Sequence, residues 1–226
     1  MGGLIPNWDQ YSDPMNIVNK PLQMGPLWME AKYTSGMPMQ DKIWFTDPPA
    51  SSFPACIAVK AASLQSAMAA EHYLRRVREA VMLHGHNIAK WEVLLRVAEE
   101  LSGNSPELLN YEDFKRDAGG AEAKKAFEED LQKVRLHNIS RFPTLTINKP
   151  DQPGVIIVGY RPYDALVAAL KQVAPELEPV QQATDAESYR RFWPDATDRE
   201  VQEVLGQEQQ IPVHTSAESK PGTKSA

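Results

Sequence analysis

The feature that most constrains this chain is a change of period near residue 140. Up to that point apolar residues recur at helical spacing. Beyond it, Thr144-Leu145-Thr146-Ile147 alternates polar and apolar, as a half-buried strand does. Val155-Ile156-Ile157-Val158 is a continuous β-branched run, the pattern of a central strand covered on both faces. Asn148 to Gly154 holds two prolines and one glycine, so the connection is a turn and the pair an antiparallel hairpin. Pro162 then opens a helix with Leu166, Val167, Leu170 and Val173 on one face. A hairpin with one helix cannot form a stable sheet by itself. The strand partner in reach is the segment Gly2 to Ile5, which would bring the count to three. More cover must come from a second copy, as a homodimer, or from further chain.

Upstream of the hairpin, residues 1–50 read as irregular, because proline recurs too often for a long helix. Trp8, Trp28 and Trp44 are expected to pack this segment onto a larger body. From Ser52 to Met82 the chain lacks glycine, and Ser51 or Ser52 can cap a helix that tolerates Pro54 in its first turn. Ile57, Ala61, Leu64 and Met68, then Tyr73, Val77 and Val81, predict one long amphipathic helix with a bend. A second helix places Ile88, Trp91, Leu95 and Ala98 inward and stops at Gly103. Ser105-Pro106 opens a short piece, Asn110 caps Tyr111 to Asp117, and a helix after Gly119-Gly120 turns Ala123, Phe127, Leu131 and Val134 inward. Residues 51–137 therefore read as a helical bundle, and 138–176 as the hairpin with its helix. Residues 177–205 read as two accessory helices, started by the capping boxes Thr184-x-x-Glu187 and Thr197-x-x-Glu200. Residues 206–226 are a polar tail.

Composition narrows the function. The 226 residues carry 30 acidic and 24 basic groups, a net charge of −6, which argues against nucleic acid as a partner. No apolar run is long enough to span a membrane, and the N-terminus has no signal-peptide pattern, so the expected compartment is the cytoplasm. One cysteine, Cys56, excludes a disulfide scaffold and any intrachain CxxC. In the first helical turn, Cys56 is a candidate thiol activated by the helix N-terminus. The competing reading, which we prefer, is a small buried core residue. His84-Gly85-His86 lacks an acidic or thiol neighbour and is read as a loop, so no metal site is expected. Arg75-Arg76-x-Arg78 is read as a salt-bridged face with Glu71 and Glu79. Ser51-Ser52 could hold an anion such as a glutathione carboxylate, though capping explains them.

Arg141-Phe142-Pro143-Thr144-Leu145 leading a strand, hairpin and terminal helix resembles the cis-proline half of a thioredoxin fold. The preceding bundle is similar to the helical insert of DsbA-type folds. Gly2-Gly3-Leu4 and Asp47-Pro48-Pro49-Ala50-Ser51-Ser52-Phe53-Pro54-Ala55-Cys56 resemble the cytoplasmic DsbA-family branch that includes FrnE-like oxidoreductases and YjbH/SpxH-like adaptors. The resemblance covers roughly residues 1–175. It implies an α/β thioredoxin-like fold with an inserted helical bundle, incomplete at its N-terminus, because the family's first strand and CxxC helix precede the point where this sequence begins. Met1 would then be an internal methionine or the start of a truncated form. The resemblance implies a cis bond before Pro143 and substrate binding by Phe142, Pro143 and Thr144. It implies no cofactor.

The expected function is that of a DsbA-family thiol-disulfide oxidoreductase-like protein, inactive in thiol exchange without the CxxC. Its partners would be a thiol- or disulfide-bearing protein or peptide, and whether it is an enzyme stays open. One alternative is a non-catalytic thioredoxin-fold adaptor with a protein partner. Another is a relative of kappa-type glutathione transferases and 2-hydroxychromene-2-carboxylate isomerases.

Overall fold

The computed structural model describes residues 3–13, 16–140, 142–178 and 185–206. The chain divides into two compact units, Met1–Pro179 and Val180–Ala226. The first holds α1 (Met24–Ser35), α2 (Ile43–Thr46), α3 (Phe53–Gln65), α4 (Ala67–Met82), α5 (Trp91–Asn104), α6 (Tyr111–Ala118), α7 (Ala121–Leu136), β1 (Thr144–Ile147), β2 (Val155–Val158) and α8 (Tyr163–Val173).

The bundle is built around α3. Ala55, Ala58, Val59, Ala61 and Ala62 are all buried, and α4, α6 and α7 each pack against this helix. Small side chains on nearly every side let several helices approach one axis. The inward row is thus set by alanines, while Leu64 and Met68, expected inside, are exposed. Tyr73, Leu94, Leu109 and Phe114 fill the fully buried centre. The Tyr73 and Phe114 rings lie 4.8 Å apart, and the Tyr73 hydroxyl donates to the Leu94 carbonyl at 2.9 Å. Phe127 of α7 meets Phe53 edge-on at 5.0 Å.

Several expectations need correction. The single helix over 52–82 is two helices, because Ser66 adopts extended backbone (φ −166°, ψ 163°) and its hydroxyl accepts from the Ala69 amide. Local capping by a side chain competes there with helix continuation. Residues 1–50 include a 12-residue helix, α1, since Pro26 sits in its first turn, where an amide is unpaired anyway. Ser105-Pro106 opens only a turn. On α5 the buried face is Val93, Leu94, Val97, Ala98 and Leu101, with Trp91 turned outward. Asn110 does cap α6, its side chain accepting from the Asp113 amide at 3.0 Å.

The N-terminal segment is tied to the bundle rather than to the hairpin. Residues 3–5 form no strand. The Ser52 amide donates to the Ile5 carbonyl at 2.8 Å, and the Ile5 amide donates to Ser52 Oγ at 3.0 Å. Gly3, at φ +56°, lies so close to α7 that a Cβ would meet Phe127 Cζ at 2.6 Å. Trp44 contacts Trp8 and Trp28 edge-on, at 6.2 and 5.3 Å, and this group packs with Val81, Met82 and Ile88. Asn87 ties the same segment down: its amide donates to Asp47 Oδ1 at 3.0 Å, while Lys90 Nζ reaches Asp47 Oδ2 at 2.7 Å.

Among the described residues the sheet is β1 paired antiparallel with β2, in the register Thr144↔Val158 to Ile147↔Val155. The expected third strand at Gly2–Ile5 is absent there. Val155 to Val158 is not covered on both faces: Ile156 is 54% and Val158 44% exposed. The run is β-branched because it fits a pleat, and that property does not count its neighbours. Helix α8 lies against β1.

Among its described residues the second unit has two short helices, α9 (Ala186–Phe192) and α10 (Asp198–Val204). Thr197 and Glu200 form the expected capping box. The N-cap of α9 is Asp185, which accepts from the Ser188 amide. Thr184, expected in that role, lies outside the described residues, as does the tail from residue 207.

Candidate functional site

The strand-entry loop is built by the hairpin itself. The Phe142–Pro143 peptide bond is cis. The Pro143 carbonyl accepts from the Gly159 amide at 2.8 Å, closing the hairpin one pair beyond Thr144↔Val158. This bond fixes the parity of the ladder. Pairs 145/157 and 147/155 exchange hydrogen bonds in the same phase as the single 159-to-143 bond, so the backbone N–H and C=O groups of Thr144 and Thr146 point away from β2. Gly159 has φ +79°, a left-handed turn that glycine adopts freely.

The loop stands among apolar groups open to solvent. Phe142 is 38% exposed, and Leu145, Ile156, Val158, Tyr160 and Tyr163 are exposed too. Phe142, Pro143 and Thr144, carried here by the resemblance, thus form one contiguous element. Tyr160 and Tyr163 were not singled out from the sequence. Tyr160 comes next to Gly159, which pairs with Pro143 only through the hairpin register, and no local motif marks it.

Cys56 belongs to a different place. It lies in the first turn of α3, 6% exposed, its amide donating to the Ser52 carbonyl. Burial pushes its thiol upward, against a smaller lowering by the Gly3 backbone. The helix N-terminus therefore does not produce an activated thiolate here. The groups acting on this sulfur from the described residues are Gly3, Lys60 and Asp130, none of them in the 142–144 loop.

The Ser51-Ser52 hydroxyls are both committed. Ser51 Oγ donates to the Ile5 carbonyl and accepts from the Phe53 amide; Ser52 Oγ accepts from the Ile5 amide. The residues weighed for a glutathione carboxylate are thus spent on holding the N-terminal segment. Arg75 and Arg76 clamp the buried Glu79 carboxylate at 2.9 and 3.1 Å, a structural ion triad. His84 and His86 lie near each other in an exposed loop, and burial with the Arg96 charge lowers the His86 pKa. Among the described residues no three His, Cys, Asp or Glu side chains gather as metal ligands. Among the described residues no helix is long and apolar enough to cross a membrane.

Comparison with known proteins agrees with this architecture. Residues 5–168 match the family described as Thioredoxin. The chain is 30% identical over 158 residues to the ClpXP adapter protein SpxH of Halalkalibacterium halodurans, covering 68% of this chain and 50% of that protein. It is 33% identical over 141 residues to the protein of that name from Bacillus subtilis, covering 61% and 45%. It thus spans about half the length of these curated relatives. A solved Nitrosomonas europaea protein, provisionally described as a protein disulfide isomerase, superposes with TM-score 0.59 at 22% identity over 76% of this chain and 78% of that one. The helical bundle ahead of a strand, hairpin and helix, the residues leading β1 and these matches lead to one assignment: the chain belongs to the DsbA-like thioredoxin-fold family.

Proposed function

We propose that this chain is a thioredoxin-fold module that binds an extended protein segment and does not itself exchange disulfides. The observation that carries this reading is the state of its only thiol. Exchange needs a thiolate that can reach a substrate disulfide and a second thiol that resolves the mixed intermediate. These 226 residues supply one cysteine, and it is buried with its pKa raised. A lone thiol of this kind suits a reducing compartment.

The loop Phe142-Pro143-Thr144 and strand β1 then serve as a recognition edge. The outward backbone groups of Thr146 offer ladder hydrogen bonds to an extended segment, as in strand addition. The exposed Phe142 ring supplies apolar contact at its start. The adapter role in the relatives' names supports binding of a protein partner over turnover of a substrate.

Two measurements test the reading. In insulin reduction by dithiothreitol, the chain should not accelerate precipitation; robust turnover would defeat the non-catalytic half. Fluorescence polarisation with short extended apolar peptides should find binders, and Thr146→Pro should weaken them at least about tenfold. Because the Thr146 amide points away from β2, proline there removes no hairpin hydrogen bond. If no peptide binds, or if Thr146→Pro binds as well as wild type, β1 is not the recognition edge. Glutathione, titrated in parallel, should give no heat.

A further inference from the structure

The two faces of the hairpin are unequal, and β1 carries the difference out to its edge. Paired residues share a face, so Thr144 and Thr146 stand with Val158 and Ile156, while Leu145 and Ile147 stand with Ile157 and Val155. On the first face Ile156 and Val158 are exposed. On the second, Ile147, Val155 and Ile157 are half-buried, which places α8, the helix that lies against β1, over that face. Leu145 belongs to the covered face yet is 45% exposed. The apolar layer beneath α8 therefore reaches the edge of β1 and stops there uncovered.

An extended segment added along β1 meets these faces at alternate residues. The outward N–H and C=O of Thr146 set its phase, and among the described residues no hydrogen bond takes them. A segment residue that turns its own backbone to Thr146 raises its side chain on the threonine face. Its neighbours there are hydroxyl-bearing, and no helix stands over that face. The residues before and after it turn their backbone away from β1 and drop their side chains on the α8 face, beside Leu145 and Ile147. A side chain there is shielded by β1 and flanked by a second layer, so it loses more contact with water. Strand parity thus couples two properties that are otherwise independent: which backbone amides of the segment are needed, and which of its side chains must be apolar.

We infer that the segment taken up at β1 is amphipathic in the strand sense. Its apolar side chains occupy the alternate positions that face Leu145, Ile147 and α8, and small polar side chains stand beside Thr144 and Thr146. This rests on the reading of β1 as a recognition edge and adds the partner's sequence pattern to it. The occupant is one extended segment of a protein partner, alternating β-branched or other apolar residues with small polar ones. Leu145 is then a specificity-determining residue. Its backbone is turned into the hairpin, so it offers the segment apolar surface and no hydrogen bond.

Fluorescence polarisation of the whole chain with a short labelled peptide, alternating threonine and valine between terminal lysines, reads the pattern. N-methylating its threonines removes the amides that face β1 and should weaken binding at least about tenfold; N-methylating its valines should change binding by less than about twofold. These arms need no variant of the chain. On the protein, Leu145→Thr should weaken the peptide at least about fivefold, and Ile156→Thr, on the open face, should leave it within about twofold. Both put a β-branched residue in a strand, so the hairpin should persist in each. Loss on methylating the valines, with the threonines tolerated, would put the apolar side chains on the open face; it overturns the inference and leaves strand addition at β1 standing. Weakening by Ile156→Thr with Leu145→Thr silent does the same. An equal response to both methylations, or no binding of the parent peptide, defeats the reading of β1 as a recognition edge, and the inference falls with it.

Discussion

Cys56 is the sharpest point of attack. If its sulfur is a packing group, it should react slowly in the folded chain. At pH 8 a thiol at the ordinary value of 9.0 is about 9% thiolate. Burial moves Cys56 above that value, and each further unit removes about nine-tenths of the remaining thiolate. At 6% exposure the sulfur must also wait for the N-terminal segment or α3 to open before a reagent reaches it. The two effects multiply, so the folded chain should release thionitrobenzoate from Ellman's reagent at least about tenfold more slowly than the chain in concentrated guanidinium. Cys56→Ala should lower the unfolding free energy by about 1 kcal/mol, from lost apolar burial and a small cavity. It should leave peptide binding at β1 unchanged. A folded-state rate equal to or above the unfolded one would refute the packing role, and so would loss of peptide binding in a well-folded Cys56→Ala.

Other consequences are more local. Ser66→Ala removes the N-cap of α4 and should cost about 1 kcal/mol in urea unfolding, with loss of helix signal confined to the first turn of α4. Gly3→Ala should lower the melting temperature more than an exposed alanine substitution does, since its Cβ would stand 2.6 Å from Phe127 in a left-handed backbone; an unchanged melting temperature would argue that residue 3 is not packed there. The Asp47 carboxyl is held below its ordinary 3.8 by the hydrogen bonds from Lys90 and Asn87. A depressed carboxylate adds stability above the unfolded value and loses it as pH falls through the folded one. Urea midpoints should therefore drop below about pH 4 in wild type, and Asp47→Asn should flatten that slope.

Much of the bundle was legible because its punctuation is local. Asn110 caps α6, Gly119-Gly120 separates α6 from α7, and the step from Ala123 to Phe127 marks the buried face of α7. The break at Ser66 was hidden because Leu64 and Met68 continue an apolar row across it, yet both face solvent. Periodicity reports that a helix has a stripe; it does not say which stripe a crowded, alanine-rich centre will take. Helix α1 was hidden by counting prolines as breakers when Pro26 occupies a position that needs no donor. At the site, the residues 142–144 were readable only through their likeness to a family. The exposure of Ile156 and Val158 was not readable at all, because a strand's composition describes its own pleat and not the sheet around it.

The cluster of Trp8, Trp28 and Trp44 gives the molecule an optical seam. Three of its five tryptophans join residues 3–50 to the end of α4, while the helices that dominate circular dichroism lie mostly beyond them. Indole emission thus reports the docking of the N-terminal segment, and ellipticity reports the bundle. Where the two signals move together on unfolding, segment and bundle melt as a single cooperative body; where emission shifts first, the segment lifts away and uncovers Cys56 before α3 gives way.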